Sequence, residues 1–347
     1  MLKKIYMLFK IGRKLSTSGA ISSIYELYKP PLIIKILFSI IGLSFGNKKR
    51  VNDLTPGEKL CSALQEMGTT FIKLGQFLAT RPDIIGENIS KDLEKLQDKL
   101  PAFDLYQAKN ILRNELDKEN FEKIKNISEP IAAASIAQVH FAEIDISNQK
   151  RKVAIKILRP DIEKLFNEEL DALMLLAYII QSFARKTKRL KLVEIIQLLR
   201  EITNIEMDLR FEAAAANELY ENTKNDIGFE VPKIYWNQTS KKILCLDRIE
   251  GFPIREVEKL KSLNIDTKKL SKNIIQHFLT HAIRDGFFHA DMHQGNLFIS
   301  QDGKIMPVDF GIMGRLDINN RKYLAEILYG FIKRDYKKVA EIHFLAG

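Results

Sequence analysis

The sequence predicts an α+β protein, and three patterns in its 347 residues support this fold class. Residues 58–125 and 161–222 place apolar side chains at helical spacing. Between these helical regions, the runs 137–146 and 152–159 have the length and apolar content of β-strands. The composition, 46% hydrophobic and 28% charged, is typical of a globular protein with one large core or two domains.

Further elements follow along the chain. The turn-rich segment 52–57 (NDLTPG) precedes a helical run at 60–79, and Arg81-Pro82-Asp83 ends that run. Helical spacing returns at 266–286 and again from Asn319 onward. Three further strand candidates lie at 241–251, 296–300 and 304–310.

The positive charge is concentrated in the first fifty residues. The formal net charge is +10, and residues 1–50 carry +9 of it. The near-neutral remainder argues against a nucleic-acid-binding body, because a basic surface would have to come from that body. Residues 32–45 (LIIKILFSIIGLSF) form an apolar run that is too short to span a bilayer. We expect this run to lie in the interface of an anionic membrane; the alternative is a helix packed on the body.

Three motifs in one order predict a kinase-like nucleotide site. Val153-Ala154-Ile155-Lys156 lies on a strand candidate, the loop 289–296 (HADMHQGN) follows, and Asp309-Phe310-Gly311 comes last. A protein kinase has a VAIK lysine, a catalytic loop with Asp and Asn five residues apart, and DFG in this order. Each motif alone is common, but the ordered set is specific. The alternative, a zinc site at His-x-Asp-x-His, leaves Lys156 and the DFG tripeptide unexplained.

These residue types suit the chemistry of Mg–ATP. Lys156 can hold the α- and β-phosphates, and Asn296 and Asp309 can share Mg²⁺. Asp291 can orient or deprotonate an attacking hydroxyl. A kinase lysine also needs a carboxylate partner on a helix, and the sequence leaves that partner open.

The helical run 192–222 carries three candidates for this partner: Glu206, Asp208 and Glu212. On one continuous helix, Asp208 and Glu212 share a face, whereas Glu206 lies about 200° from Asp208. Glu206 has Arg210, four residues on, as an alternative partner.

With these motifs in place, the chain resembles the UbiB family of atypical kinase-like proteins, also called the AarF or ADCK family. The resemblance runs from about residue 50 to the C-terminus, and its most diagnostic motif is Lys73-Leu74-Gly75-Gln76 (KxGQ). It implies a two-lobed, protein-kinase-like fold with an N-terminal helical extension. The C-lobe is expected to be truncated, because the chain stops 36 residues after Gly311 where relatives continue. Gln294 also replaces a proline found in many relatives.

The resemblance divides the chain into four parts. These are a membrane-contacting arm (1–50), an extension with the KxGQ motif (51–125), an N-lobe with a long helical insertion (126–250) and a partial C-lobe (251–347). No glycine occurs between Gly86 and Gly228, so an alanine-rich loop replaces the Gly-rich phosphate loop. The loop residues implied to bind nucleotide are Ile131, Ala132, Ala133, Ala134, Ser135, Ile136, Ala137 and Gln138.

The resemblance also implies a role for each remaining matched residue. Lys156 is the ATP lysine and Glu212 its helix partner, which together with Asp291 form the catalytic set. Asn296 and Asp309 are the metal ligands. The residues of the extension that folds over the active site, and the partners of that extension, are Lys73, Gly75, Gln76, Glu206 and Asp208.

As a function, the resemblance implies ATPase activity or phosphotransfer to a small molecule or lipid in ubiquinone biosynthesis, with ATP and Mg²⁺ as cofactors. It implies peripheral attachment to the cytoplasmic face of a bacterial inner membrane. Expected partners are the lipid surface, a quinone precursor or other small lipid, and other ubiquinone-biosynthesis proteins, with no nucleic acid. Two alternatives are a nucleotide-binding scaffold without turnover and a quinone-ring hydroxylase; the sequence has no dinucleotide fingerprint to support the latter.

Overall fold

The computed structural model describes residues 2–17, 54–96, 100–183 and 191–347. Its helices are α1 (Leu2–Thr17), α2 (Pro56–Met67), α3 (Thr69–Ala79), α4 (Pro82–Ile85), α5 (Glu87–Leu93), α6 (Leu105–Glu115), α7 (Lys118–Glu122), α8 (Ile162–Phe183), α9 (Leu192–Glu206), α10 (Leu209–Thr223), α11 (Val257–Ser262), α12 (Thr267–Thr280), α13 (Ile318–Lys333) and α14 (Tyr336–Ala346). The apolar run 32–45 of the predicted arm lies outside the described residues. Among the helices that the structure describes, none combines the length and the hydropathy needed to cross a membrane.

Five of the described strands lie at positions that the sequence predicted, and the other short strands were not predicted. The strands are β1 (Ile124–Lys125), β2 (Pro130–Ala133), β3 (Ala137–Ile146), β4 (Gln149–Leu158), β5 (Ile243–Asp247), β6 (Gly251–Pro253), β7 (Phe287–His289), β8 (Leu297–Ser300), β9 (Ile305–Pro307) and β10 (Met313–Arg315). The largest sheet has the order β1-β3-β4-β5, and β2 also pairs with β3. The smaller sheets are β6-β8-β9 and the pair β7-β10.

The chain folds into two compact units, each built from separated segments. Unit 1 comprises Met1–Ala108, Pro130–Val139 and Leu158–Met207, and unit 2 comprises Lys109–Glu129, His140–Ile157 and Asp208–Gly347.

Unit 1 is a helical assembly. Helix α8 packs against α1, α3 and α9, while α2 packs against α3 and α5. Ile72, Leu93, Phe166 and Leu170 are almost fully buried in this core. Burial of these side chains on one stripe of each helix is what the helical spacing of the sequence predicts.

Unit 2 carries most of the strands, together with Lys156, the catalytic loop and the DFG segment. In β4, the alternation of a half-buried strand puts Val153, Ile155 and Ile157 in the core at 0% exposure. Lys156 therefore points to the opposite face, at the register position paired with Leu244 of β5. Helix α10 packs on β5, which brings a helix next to that lysine.

Two predicted helices are broken where the sequence pattern looked continuous. The run 60–79 is two helices, because Gly68 adopts φ 102° and ends α2. The run 192–222 is also two helices: α9 ends at Glu206, and Asp208 has extended backbone and caps α10 through the Arg210 N–H. Apolar periodicity does not reveal either break, because the helices on both sides keep an apolar face. A capped break between them costs little free energy.

Candidate nucleotide site

Lys156 forms a two-pronged ion pair with Glu212. Its Nζ lies 2.9 and 2.8 Å from the two carboxylate oxygens. Both side chains are largely buried, with exposed fractions of 18% and 10%. Of the three carboxylates that the sequence left open, the structure thus places Glu212 on the lysine.

The break between α9 and α10 explains this choice. Glu212 lies in the first turn of α10, on the buried face that Ala213 and Ala216 also occupy. Asp208 is the N-cap and forms an ion pair with Arg210 at 2.6 Å. The alternative pairing of Glu206 with Arg210 is therefore wrong.

The ammonium of Lys156 also lies close to a second carboxylate, that of Asp309. Asp309 Oδ1 lies 3.7 Å from its Nζ. Burial raises the pKa of Glu212, and the charge of Lys156 opposes that rise while Asp309 adds to it. A divalent cation beside Asp309 would add positive charge next to these two carboxylates.

The Asp309-Phe310-Gly311 segment has an unusual backbone. Asp309 has φ 61°, in the left-handed region that a non-glycine residue rarely adopts. Phe310 is 1% exposed and packs edge-to-face on His289, with the ring centroids 5.8 Å apart. The Gly311 N–H donates to Asp309 Oδ1 at 3.3 Å. This hydrogen bond restrains the carboxylate of Asp309 beside the turn.

His289 links the catalytic loop to this segment. Its Nδ1 accepts from the Asp291 N–H at 3.2 Å, while Nε2 lies 2.9 Å from the Asp309 carbonyl oxygen. These partners assign the neutral tautomer with the proton on Nε2. The ring is 2% exposed, so one buried side chain positions both acidic segments.

Asn296 orients Asp291. Its amide nitrogen donates to the Asp291 carbonyl oxygen at 3.1 Å and to Oδ2 at 3.0 Å. The amide oxygen remains as the atom that Asn296 can offer to a cation. His293 Nε2 lies 3.6 Å from Asp291 Oδ2, and the Gly295 N–H donates to His293 Nδ1 at 2.9 Å. A Cβ at Gly295 would lie 2.7 Å from His293 Cε1, so a side chain there would displace the His293 ring.

The donor set fits magnesium. Mg²⁺ prefers oxygen ligands and keeps several waters, so one carboxylate and one amide oxygen are a suitable pair of protein ligands. Asp309 supplies a carboxylate that is 55% exposed, and Asn296 supplies the amide oxygen. ATP itself would provide further phosphate oxygens.

The alanine-rich loop belongs to unit 1, where its backbone is held by neighbouring segments. Arg159 donates to the carbonyl oxygens of Ala134, at 3.0 and 2.7 Å, and of Pro101, at 2.9 Å. The Thr69 hydroxyl donates to the Ser135 carbonyl at 3.1 Å. The sequence did not single out Arg159 or Thr69, since neither belongs to a recognised motif.

Three of the predicted nucleotide-binding residues, Ser135, Ala137 and Gln138, are turned inward. Gln138 is 1% exposed, and its side-chain amide exchanges hydrogen bonds of 2.9 and 3.0 Å with the backbone of Phe103. Ser135 is fully buried. Ile131 is 49% exposed and Ala132 is also exposed, so the outer half of the loop is the part open to a ligand.

The KxGQ motif lies on α3 of unit 1. Lys73 forms an ion pair with Glu206 at 3.0 Å, which brings together two residues that the resemblance had linked. Gly75 has no room for a side chain, since a Cβ would lie 2.3 Å from Leu96 Cδ1 and 2.8 Å from Leu64 Cδ1. Gln76 is partly buried on the same helix.

The lysine–glutamate pair, the catalytic loop and the DFG segment together define a protein of the kinase-like class. Comparison with known proteins agrees: the ABC1 atypical kinase-like domain matches residues 95–343. The chain belongs to this ABC1 family of atypical kinase-like proteins, and the predicted α+β kinase-like fold is confirmed.

Curated relatives carry the UbiB name. "Probable protein kinase UbiB" of Marinobacter nauticus is 37% identical over 299 residues, covering 85% of this chain and 54% of the relative. "Probable protein kinase UbiB" of Pseudomonas fluorescens is 33% identical over 345 residues, covering 98% of this chain and 64% of the relative. This chain thus spans between about half and two thirds of these relatives.

A solved structure shares the fold. It is that of the Rv3197–erythromycin complex from Mycobacterium tuberculosis, with a TM-score of 0.54 and 24% sequence identity. The similarity covers 82% of this chain and 71% of the solved chain.

Proposed function

We propose that unit 2 binds Mg–ATP, and that the protein uses it as an ATPase or as a phosphotransferase acting on a small molecule or lipid in ubiquinone biosynthesis. The arrangement of Lys156 carries this proposal. Its ammonium pairs with the buried Glu212 and lies 3.7 Å from Asp309, next to the segment that His289 joins to Asp291.

Each residue then has a defined task. Glu212 holds the Lys156 ammonium in place for the α- and β-phosphates. Asp309 and Asn296 would hold Mg²⁺, which neutralises phosphate charge when bound. Asp291, oriented by the Asn296 amide, can accept a proton from an attacking hydroxyl or water.

A thermal-shift experiment tests the metal assignment. Saturating Mg–ATP, at about 100 times its Kd, stabilises the folded state by about 2.7 kcal/mol. For a unit of this size we expect a rise in Tm of roughly 5–10 °C. Asp309→Asn should abolish the rise. Asp302→Asn is the matched control, because it removes the same charge from an exposed turn of unit 2. An unchanged rise in Asp309→Asn would refute the assignment.

A scaffold without turnover is the second candidate. The inward-facing Ser135 and Gln138 favour it, because they leave fewer loop groups to contact a transferring phosphate. Formation of ADP from Mg–ATP distinguishes the two functions, because hydrolysis and phosphotransfer both produce ADP. An enzyme forms ADP in wild type but not in Asp291→Ala, whereas a scaffold binds ATP and forms no more ADP than the variant.

We also propose that the basic arm holds the protein at an anionic membrane. Helix α1 supports this, since Ile5, Tyr6 and Phe9 are exposed while Ile11 and Leu15 pack into unit 1. Removing residues 1–50 would therefore damage the core of unit 1, so a milder change is required. Five basic residues follow α1 within the arm: Lys29, Lys35, Lys48, Lys49 and Arg50.

Replacing these five residues with Gln should weaken binding to anionic liposomes at least tenfold, because each contributes up to about 1 kcal/mol at such a surface. Flotation with phosphatidylglycerol vesicles measures this binding, and phosphatidylcholine vesicles are the control. The Mg–ATP thermal shift should persist. Equal flotation of wild type and variant would refute the arm as the membrane contact.

A further inference from the structure

Helix α10 carries Glu212 in its first turn, and it is tied to the catalytic segments at two further points. The first is Glu218, in the middle of the helix. The second is Asp226, directly after its end. In kinases the position of this helix decides whether the lysine–glutamate pair is formed. The contacts that fix α10 in place therefore affect the proposed nucleotide function. This inference rests on that function.

The first tie joins α10 to the β7–β10 pair. Arg315 lies 2.6 Å from Glu218 Oε2, and its guanidinium carbon lies 4.6 Å from the centroid of the Phe287 ring. Arg315 and Phe287 are also register partners across β10 and β7. Strand β7 ends at His289, and β10 begins two residues after Gly311. Glu218 is thus linked to the antiparallel strand pair that precedes the catalytic loop and follows the DFG segment.

The second tie joins the end of α10 to the turn before β7. Arg284 donates to Asp226 Oδ1 at 2.8 Å and to Oδ2 at 2.9 Å, and it also donates to the Asn222 carbonyl oxygen at 3.2 Å. His281, which is 3% exposed, lies 3.0 Å from Asp226 Oδ2. His281 and Arg284 belong to a π-helical turn, His281–Asp285, that leads into the catalytic loop.

The Asp226 group has the composition of a metal site, since His277 and His281 lie close to the carboxylate. The arrangement argues against a metal, however. The guanidinium of Arg284 already occupies both oxygens of Asp226 and would place a positive charge beside the cation. The same guanidinium lowers the pKa of Asp226. We therefore regard this group as an ion-pair network.

The spacing of these contacts restrains the whole helix. At 1.5 Å per residue, Glu218 lies about 9 Å along the axis from Glu212, and Asn222, whose carbonyl oxygen accepts from Arg284, is about 6 Å further on. Both contacts lie C-terminal to Glu212 on or after the same helix. Moving Glu212 away from Lys156 therefore requires breaking at least one of these two ion pairs.

We propose that Arg315 and Arg284 are positioning residues that keep α10 where Glu212 holds Lys156, so that this pair is constitutive and not switched. The exposed Arg315–Glu218 pair is the one to test, because it can be altered without disturbing the core. Three variants are needed: Arg315→Glu, Glu218→Arg and the double exchange. Lys304→Glu is the matched control, since it reverses a similarly exposed ion pair, with Glu230 at 3.0 Å, elsewhere in unit 2.

Amide hydrogen exchange of residues 209–223 in the nucleotide-free protein tests the restraint. Arg315→Glu and Glu218→Arg should each speed this exchange about fivefold, the factor that a well-formed exposed ion pair provides. The double exchange should restore it, and Lys304→Glu should leave it within twofold. Unchanged exchange in both single variants, or no recovery in the double variant, overturns the proposal. This readout needs no ATP, so it stands even if the nucleotide function fails.

ATP affinity, measured with a fluorescent ATP analogue, then tests whether the restraint acts through Glu212. Arg315→Glu should weaken binding about fivefold in wild type but have no further effect in Glu212→Gln. Equal weakening in both backgrounds would show that Arg315 acts elsewhere and would overturn its positioning role. Absence of ATP binding in wild type refutes the proposed nucleotide function, while the exchange data still decide the restraint of α10.

Discussion

The buried pair of Lys156 and Glu212 yields the most quantitative prediction. Replacing Glu212 with Gln leaves the Lys156 ammonium at 18% exposure without its main partner. Removing one member of a buried ion pair typically costs about 3–5 kcal/mol. Asp309 remains 3.7 Å from Nζ and offsets part of this cost, so we expect a loss of about 2 kcal/mol in the free energy of unfolding of unit 2.

The reciprocal change should behave differently. Lys156→Met leaves Glu212 buried, and its carboxyl can take up a proton because burial already raises its pKa. The loss in the free energy of unfolding caused by Lys156→Met should therefore be smaller at pH 6 than at pH 8. Lys156→Met combined with Glu212→Leu should return to within about 1 kcal/mol of wild type, because apolar pairs of similar volume replace buried ion pairs at little cost. Glu212→Gln, Lys156→Met and the double variant should each bind Mg–ATP at least tenfold more weakly than wild type.

Urea unfolding followed by tryptophan fluorescence measures these values. The chain has one tryptophan, Trp236, and it lies in unit 2 beside the strand that pairs with β4. The signal therefore reports the unit that contains the ion pair. Two results would refute a strong buried ion pair. The first is a free energy of unfolding for Glu212→Gln within about 0.5 kcal/mol of wild type, and the second is a loss in the double variant equal to the sum of the two single losses.

Three further predictions concern unit 1. Burial raises the pKa of Glu169, so the wild-type protein should lose stability as the pH rises from about 4.3 through the folded-state pKa. Glu169→Gln should remove this loss, so its Tm relative to wild type should be higher at pH 8 than at pH 4. Gly75→Ala should cost roughly 1–3 kcal/mol, measured by thermal unfolding, because the new methyl group overlaps Leu96, and equal Tm values would contradict the packing. Arg159→Lys should speed hydrogen exchange of residues 131–138, because lysine cannot reproduce the forked bonds to Ala134, and unchanged exchange would contradict the restraint.

The sequence predicted the elements of the site well because its motifs are local. Val153 to Lys156 occupies a strand, and Asp291 and Asn296 lie in one loop, as their spacing indicated. In the structure, alternation along β4 places Lys156 on the face opposite Val153, Ile155 and Ile157.

Local sequence patterns could not identify the carboxylate partner of Lys156. The helical-wheel comparison assumed one helix over 192–222, whereas the break at Met207 puts Glu206 on α9 and Glu212 on α10. No single residue in the sequence marks this break clearly, because Asp208 is compatible with both a helix and an N-cap.

The inward orientation of Ser135 and Gln138 was unpredictable for a related reason. Their burial depends on Phe103 and Thr69, which are distant in sequence. The alanine-rich composition indicated a loop with little side-chain chemistry, but it could not show which side of that loop is covered. Arg159 was missed because a single arginine after a strand carries no motif signal.

Calorimetric titration of ATP tests the central claim most directly. We predict that wild-type protein binds about one ATP per chain with Mg²⁺ present, and that EDTA weakens this binding at least tenfold because Asn296 and Asp309 then lack their cation. Lys156→Met should bind ATP at least tenfold more weakly than wild type. Binding that is equally tight with EDTA and in Lys156→Met, or no binding under any of these conditions, would contradict a magnesium–nucleotide site built on Lys156 and Asp309.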